Sequence, residues 1–377
     1  MDICINNRQT NPRCSRDFIN VFNPSRWSKN CLILVRMVTL KYRLFPLIFL
    51  FLCPAYSFSA DVAVCADHQD SPVWGPSTSG PFLTGTAEAT PLGSYFYEPY
   101  LFDSIHPNDG ATSLKINQRI SVGLGDDMDL NISVPLILNR NESSTGETQT
   151  ALGAGDTTAW VKRLIFSDGN TRSFLSRPAL AIEAQLTVPT GNGVNLNPKL
   201  DGLDQTGEGA FQESVQILAR KRAKPFSVYA QVGDTIIDPI RAPAGVAFDN
   251  SAITPTGGRI VNGDLLNYQA TFEHVINDQL GLGWELEFAG ETQLSHSLLF
   301  GKANAPNWSS LWVAPELEET YPNTPKFSIA WGLGVMVPVY SFNAPSSVVS
   351  MATATFNFNG PNGHRGEDES LINEDNR

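Results

Sequence analysis

In the stretch QLGLGWELEF, residues 279–288, Leu280, Leu282, Trp284, Leu286 and Phe288 share one parity, while Gly281, Gly283, Glu285 and Glu287 hold the other. A helix would place apolar residues at i, i+3, i+4 and i+7, and that spacing is absent. A period of two means a strand with one apolar face and one polar or small-residue face. In a soluble sandwich the apolar face points into the core; in a membrane barrel it points outward at lipid.

The pattern recurs along the chain. SLKINQRISVGL (113–124) sets Leu114, Ile116, Ile120, Val122 and Leu124 against Lys115, Asn117, Arg119 and Ser121. MDLNISVPLIL (128–138), PALAIEAQLTV (178–188), LNYQATFEHVI (266–276) and FSIAWGLGVMVPV (327–339) repeat it. With weaker segments added, twelve strands are predicted, near 92–104, 111–124, 126–138, 153–168, 175–190, 209–223, 225–238, 263–277, 279–292, 308–319, 325–340 and 346–359. Most span about 12 to 16 residues, longer than the usual 5 to 6 of soluble sheets and long enough for a tilted membrane strand.

The connections alternate as well. The even-numbered strands are followed by short turns, at 125–127, 168–172, 223–224, 277–278 and 321–324. After strands 3, 5, 7 and 9 come long polar stretches such as NRNESSTGETQTALG and GNGVNLNPKLDGLDQTGE. Short periplasmic turns and long outer loops characterise outer-membrane barrels, and here they put both termini on the periplasmic side. The expected fold class is therefore all-β: one antiparallel transmembrane β-barrel of about twelve strands, of outer-membrane type, at 92–359.

Residues 44–52, LFPLIFLFL, follow Lys41 and Arg43 and precede CPAYSFSA, the layout of a secretory signal peptide at 37–60. Residues 1–36 read as an upstream extension, with translation beginning at Met37; 61–91 is expected to be a periplasmic segment, and 360–377 a disordered acidic tail. Residues 1–60 carry eight Lys/Arg and two Asp; setting them aside from the 26 basic and 38 acidic residues leaves 18 and 36, a net charge near −18. That charge argues against nucleic-acid partners. Four of the five cysteines (Cys4, Cys14, Cys31, Cys53) fall before the cleavage region, so Cys65 has no intramolecular partner and no disulfide is expected. The composition is 42% hydrophobic and 17% charged, and no apolar run of about 20 residues follows position 60.

Little catalytic material is present. Beyond residue 91 the histidines are His106, His274, His296 and His364. His274 shares the lipid-facing parity near a short turn and reads as interfacial. Ser295, His296 and Ser297 lie together in an outer loop, the one place resembling a barrel hydrolase. No His/Cys/carboxylate group has metal-ligand spacing, so neither metal nor cofactor is expected, and the chain does not read as an enzyme.

The polar parity carries the functional expectation. If apolar residues face lipid, then Lys115, Arg119, Glu183 and Gln185 point inward, as do Asn267, Gln269, Glu273, Glu285, Glu287, Glu316 and Glu318. These could line a wet conduit, or pair with one another and with Lys162 and Arg220 to fill the lumen. The acidic excess favours cations or neutral solutes. The expected partners are outer-membrane lipid, small-molecule solutes and the barrel-assembly machinery. A non-conducting surface barrel is the alternative. Aromatics in SYFYEPYLF (94–102), and Phe356 and Phe358 in the last strand, are expected at an interfacial girdle.

The runs GLGDDMDLNISVPLIL (123–138), GAGDTTAWVKRLIF (153–166) and RPALAIEAQLTVPTGN (177–192) resemble the bacterial family named for the meta pathway of phenol degradation, over roughly residues 92–359. That family has a Gly-Asp ahead of a strand with a basic residue, here Gly155-Asp156 and Lys162, and a strand ending in Pro-Thr-Gly, here Pro189, Thr190 and Gly191. The family's frequent Lys-Tyr-Arg is here Lys162-Arg163-Leu164. The resemblance implies an outer-membrane transporter passing small aromatic or hydrophobic compounds.

Overall fold

The computed structural model describes residues 81–358, apart from 106–110, 126, 143–146, 170–172, 195, 198–199, 201–202, 243–246, 249–251, 254–257, 262, 278–280, 295–296, 300–301, 306, 322–326 and 345. The expected extension, signal peptide, acidic tail, His106, Ser295, His296 and His364 all lie outside the described residues.

Twelve strands form one closed antiparallel barrel. They are β1 (Tyr95–Ile105), β2 (Thr112–Gly123), β3 (Met128–Glu142), β4 (Thr148–Ala154 continuing as Thr157–Phe166), β5 (Ala179–Val188), β6 (Gln212–Ala223), β7 (Phe226–Ile237), β8 (Leu265–Asn277), β9 (Leu282–Gln293), β10 (Ser309–Tyr321), β11 (Phe327–Phe342) and β12 (Val348–Phe358). Each pairs with its sequence neighbours, and β1 closes the ring against β12, from Tyr95 opposite Phe358 to Ile105 opposite Val348. Closure leaves no open edge, so strand backbone groups can be satisfied inside hydrocarbon.

Register converts the sequence alternation into an inside and an outside. Across β8, β9 and β10, Phe272, Leu286 and Pro315 form an outward row, and Glu273, Glu285 and Glu316 form an inward one. Leu280 lies outside the described residues and Gly281, at φ 60°, closes the turn, so β9 starts at Leu282. Outward apolar side chains remain exposed around the wall, among them Ile132, Ile217, Val232, Phe288 and Leu333. A contiguous exposed apolar belt on a closed barrel is a lipid-facing surface. An arginine in place of Leu286, mid-strand on that belt, is expected to cost about 2–4 kcal/mol. Urea titration of the barrel folded in lipid measures it, and a loss under about 0.5 kcal/mol, the usual size for a neutral surface change, would contradict the outward assignment.

Several expected boundaries shift. β3 and β4 extend past the wall as a hairpin, with Glu142 opposite Thr148, so most of the long loop expected there is strand. β4 is interrupted at Gly155-Asp156. β5 begins only at Ala179, directly after Pro178, which has no N–H for a ladder. Short strands at Ile240–Ala242, Gly258–Val261, Ser297–Leu299 and Lys302–Ala305 join the β7–β8 and β9–β10 loops in a four-stranded sheet.

The aromatic stretch at 94–102 divides by parity. Tyr95 stacks on Phe358 at 4.8 Å and Tyr97 on Phe356 at 6.2 Å, at the short-turn end. Phe226, Phe272, His274 and Trp284 continue the cluster there, with Trp284 Nε1 donating to His274 Nδ1 at 3.0 Å. Phe96, Tyr100 and Phe102 point inward instead. Tyr100 is buried, and Phe96 lies 5.1 Å from the Arg119 guanidinium. These three belong to the lumen and not to the girdle, because neighbouring positions on a strand face opposite ways.

Candidate functional site

The lumen gathers the inward parity. Residues 81–90, PFLTGTAEAT, run inside the barrel before the chain reaches β1. Phe82 packs against Tyr100, with ring centroids 6.0 Å apart, and against Val349 and Met351. Leu83 N donates to Glu287 at 3.1 Å, and Thr84 donates to the same carboxylate from both N and Oγ1 at 2.9 Å. Gly85 N donates to Gln231 Oε1 at 2.5 Å. Glu88 pairs with Arg220, and with Arg222 at 3.1 Å. Thr90 N donates to Asp129 Oδ2 at 2.8 Å. The described part of 61–91 therefore lies within the barrel, correcting the expectation of a periplasmic segment. An extended segment has unpaired backbone donors, and the inward carboxylates and amides supply their acceptors.

The inward residues expected from sequence occupy two levels. Toward the short turns, Arg119 pairs with Glu98 at 3.4 Å, donates to Asn131 at 3.2 Å and lies 5.3 Å from the Trp160 ring. Asp129, fully buried, accepts from Asn131 Nδ2 at 2.6 Å and pairs with Lys162 at 3.4 Å. Glu183 stands opposite Lys162 and accepts from Gln185 Nε2 at 3.2 Å. Glu273 accepts from the buried Tyr229 hydroxyl at 2.7 Å. Glu285, Glu287, Glu316 and Glu318 are all buried on β9 and β10. Arg119 and Lys162 are ion-paired here, whereas among the described residues Glu285, Glu287 and Glu316 have no basic partner, and Tyr229, Glu98 and Asp129 join the group without having stood out in the sequence.

Above the segment, toward the long loops, lies a polar cavity of about 1000 Å³. Lys115, Gln185, Asn267, Gln269, Gln231 and Glu291 are among its lining residues, with Leu83 contributing to it from the segment. Amides, hydroxyls and a few charges make this a place for water and small hydrated solutes.

The two motifs of the family resemblance meet at its rim. Thr190 Oγ1 donates to Gly155 O at 2.8 Å and accepts from Thr157 N at 2.9 Å. The Asp156 carboxylate takes Gly191 N at 2.9 Å and Glu208 N at 2.7 Å. A Cβ at Gly207 would press on the Asp156 carboxylate and displace it from its place on the loop. The interruption in β4 thus anchors the β5–β6 loop across the cavity. Asp156→Ala removes the acceptor of two charge-assisted bonds, each contributing about 1.5–3 kcal/mol. The 189–211 loop is expected to lose amide-exchange protection while the strands keep theirs. Equal loss in loop and strands would contradict a local anchor.

A closed twelve-stranded barrel with an apolar outer belt and a charged interior is a transmembrane β-barrel of the outer-membrane type. Its fold matches an outer membrane channel from Pseudomonas putida F1, with a TM-score of 0.55 and 16% identity, over 73% of this chain and 98% of that one. More distant likenesses include a NanC porin (TM-score 0.38, 8% identity, 68% and 98% covered) and a CymD monoaromatic hydrocarbon channel (0.32, 8%, 71% and 88%). No family model matches the sequence, and no curated protein matches it.

Proposed function

We propose that this protein is a channel for passive uptake or efflux of small molecules across the outer membrane, and that it belongs to the meta-pathway-of-phenol-degradation family. The observation that carries the reading is a polar cavity with a noncovalently held segment beneath it. The cavity lies on the long-loop side, and the lumen below is filled by paired wall side chains together with residues 81–90, a segment held through hydrogen bonds and ion pairs. Displacing residues 81–90 would join the cavity to the short-turn side. Acidic residues outnumber basic ones in the buried interior, which favours neutral and cationic solutes. Aromatic or hydrophobic compounds are the substrate class that the family resemblance supports.

Liposome swelling tests this. Proteoliposomes are expected to admit arabinose, lysine and tyramine faster than glutamate. Folded protein that admits none of them, with or without the segment, would overturn the channel. It would favour instead the non-conducting surface barrel, a reading that the filled short-turn half and the loop sheet on the opposite rim also support.

A further inference from the structure

Glu285, Glu287 and Glu316 sit where β9 and β10 face the lumen below the cavity. Glu285 and Glu316 are direct cross-strand partners, and Glu287 is two residues along on the same face. One carboxylate oxygen from each lies within 4.8 Å of the others, and all three residues are buried. Like charges directly opposite one another on a strand pair repel, and burial strengthens that repulsion. Among the described residues no Lys or Arg nitrogen comes within ion-pair distance of these three carboxylates.

Glu285 points to what balances them. It is 0% exposed, its register aims it at Glu316, and neither carboxylate oxygen has a hydrogen-bond partner. A buried carboxylate with no donor requires a proton or a cation. The wall opposite Glu316 is glycine, which lets that side chain lie flat against it. Gly334 stands opposite Glu316, and a Cβ there would come within 2.7 Å of Glu316 Cγ. Three carboxylates with no nitrogen or sulfur donor suit a hard divalent cation. Bonds of about 2.3–2.6 Å put ligand oxygens up to about 5 Å apart across a calcium ion, which the 4.8 Å spacing meets.

We propose that Glu285, Glu287 and Glu316 form a lumenal divalent-cation site with Ca²⁺ as its preferred occupant. Glu287 is also the acceptor for Leu83 and Thr84, so the ion braces the carboxylate on which the N-terminal segment rests. Glu287 Oε2 takes the Thr84 and Thr271 donors, while Oε1 accepts from Leu83 N and keeps a lone pair for the ion. The consequence, a stopper tightened by calcium, rests on the channel reading; binding itself does not.

Equilibrium dialysis of ⁴⁵Ca²⁺ against the full chain tests it, using protein refolded in detergent without lipopolysaccharide. One ion per barrel is expected. Glu285→Gln and Glu316→Gln are each expected to weaken binding at least tenfold, while Glu291→Gln, in the cavity wall, leaves it unchanged. Heat-shifted gel mobility confirms that each variant is folded. Calcium is also expected to raise the wild-type unfolding temperature relative to EDTA, a measurement that holds even where a variant does not fold. No saturable binding by folded wild type at millimolar calcium would overturn the site, and so would equal binding by Glu285→Gln and Glu316→Gln. Either result would mean that protons balance the cluster. Conductance plays no part in the assay, so failure of the site and failure of the channel are separable.

Discussion

Deleting residues 81–90 is expected to raise single-channel conductance in a planar bilayer on the order of tenfold, from a small and intermittent wild-type value to steady open steps. The deletion removes Phe82 from its place against Tyr100, Val349 and Met351, and frees the Glu287, Gln231 and Asp129 acceptors to water. It leaves the wall intact, because β1 starts at Tyr95 and closes against β12 without help from the segment. The heat-shifted mobility of the folded barrel should therefore survive. Thr84→Ala is a milder probe. It removes one hydroxyl donor to Glu287 and the acceptor of Thr271 Oγ1, and is expected to lengthen brief openings without changing their size. Unchanged conductance in a folded deletion variant would mean that something other than this segment closes the lumen.

Replacing Lys162 by Met is expected to have the largest effect on stability. Lys162 and Asp129 are both buried and lie 3.4 Å apart, and Asp129 is also the acceptor for Thr90 N and Asn131 Nδ2. Without the lysine, a buried carboxylate keeps its hydrogen bonds but loses its countercharge, a change that costs about 3–5 kcal/mol. Converting Asp129 to Asn in the same chain removes the stranded charge, and the double variant should recover more than half of the loss. Urea unfolding of the four proteins in lipid gives the coupling directly. A single-variant loss below about 1 kcal/mol, the range of exposed pairs, would place the pair in solvent and contradict its burial.

The wall was largely legible because a two-residue period needs no tertiary information. Leu282, Trp284, Leu286 and Phe288 declare their face from sequence alone, as do Glu285 and Glu287. Which polar residues share a face was legible too, but their grouping was not. Glu285 and Glu316 are 31 residues apart, and only the β9–β10 register makes them neighbours. The segment at 81–90 gave no warning. PFLTGTAEAT has neither period two nor period 3.6, since its backbone bonds go to side chains of many strands and not to a single ladder. Phe96 and Tyr100 misled through composition: clustered aromatics suggest an interface, yet parity sends every second one inward. Gly155-Asp156 and Pro189-Thr190-Gly191 stood out in sequence only through a family resemblance. Their physical role, one hydrogen-bonded anchor joining a strand break to a loop, required the fold.

The N-terminal segment rests inside the closed barrel, and a cross-link between positions 84 and 271 reports its place there. Thr84 Oγ1 and Thr271 Oγ1 are 2.6 Å apart, although 187 residues separate them in the chain. In an otherwise cysteine-free chain, Thr84→Cys with Thr271→Cys should oxidise to a disulfide in outer membranes, since side chains this close can meet the required geometry. The denatured product, closed into a loop of that length, should migrate faster on a non-reducing gel and return to normal mobility on reduction. Full conversion in folded barrels is the result predicted here. Thiols that stay free and accept maleimide in folded barrels would show that the segment lies outside the lumen and does not fill it.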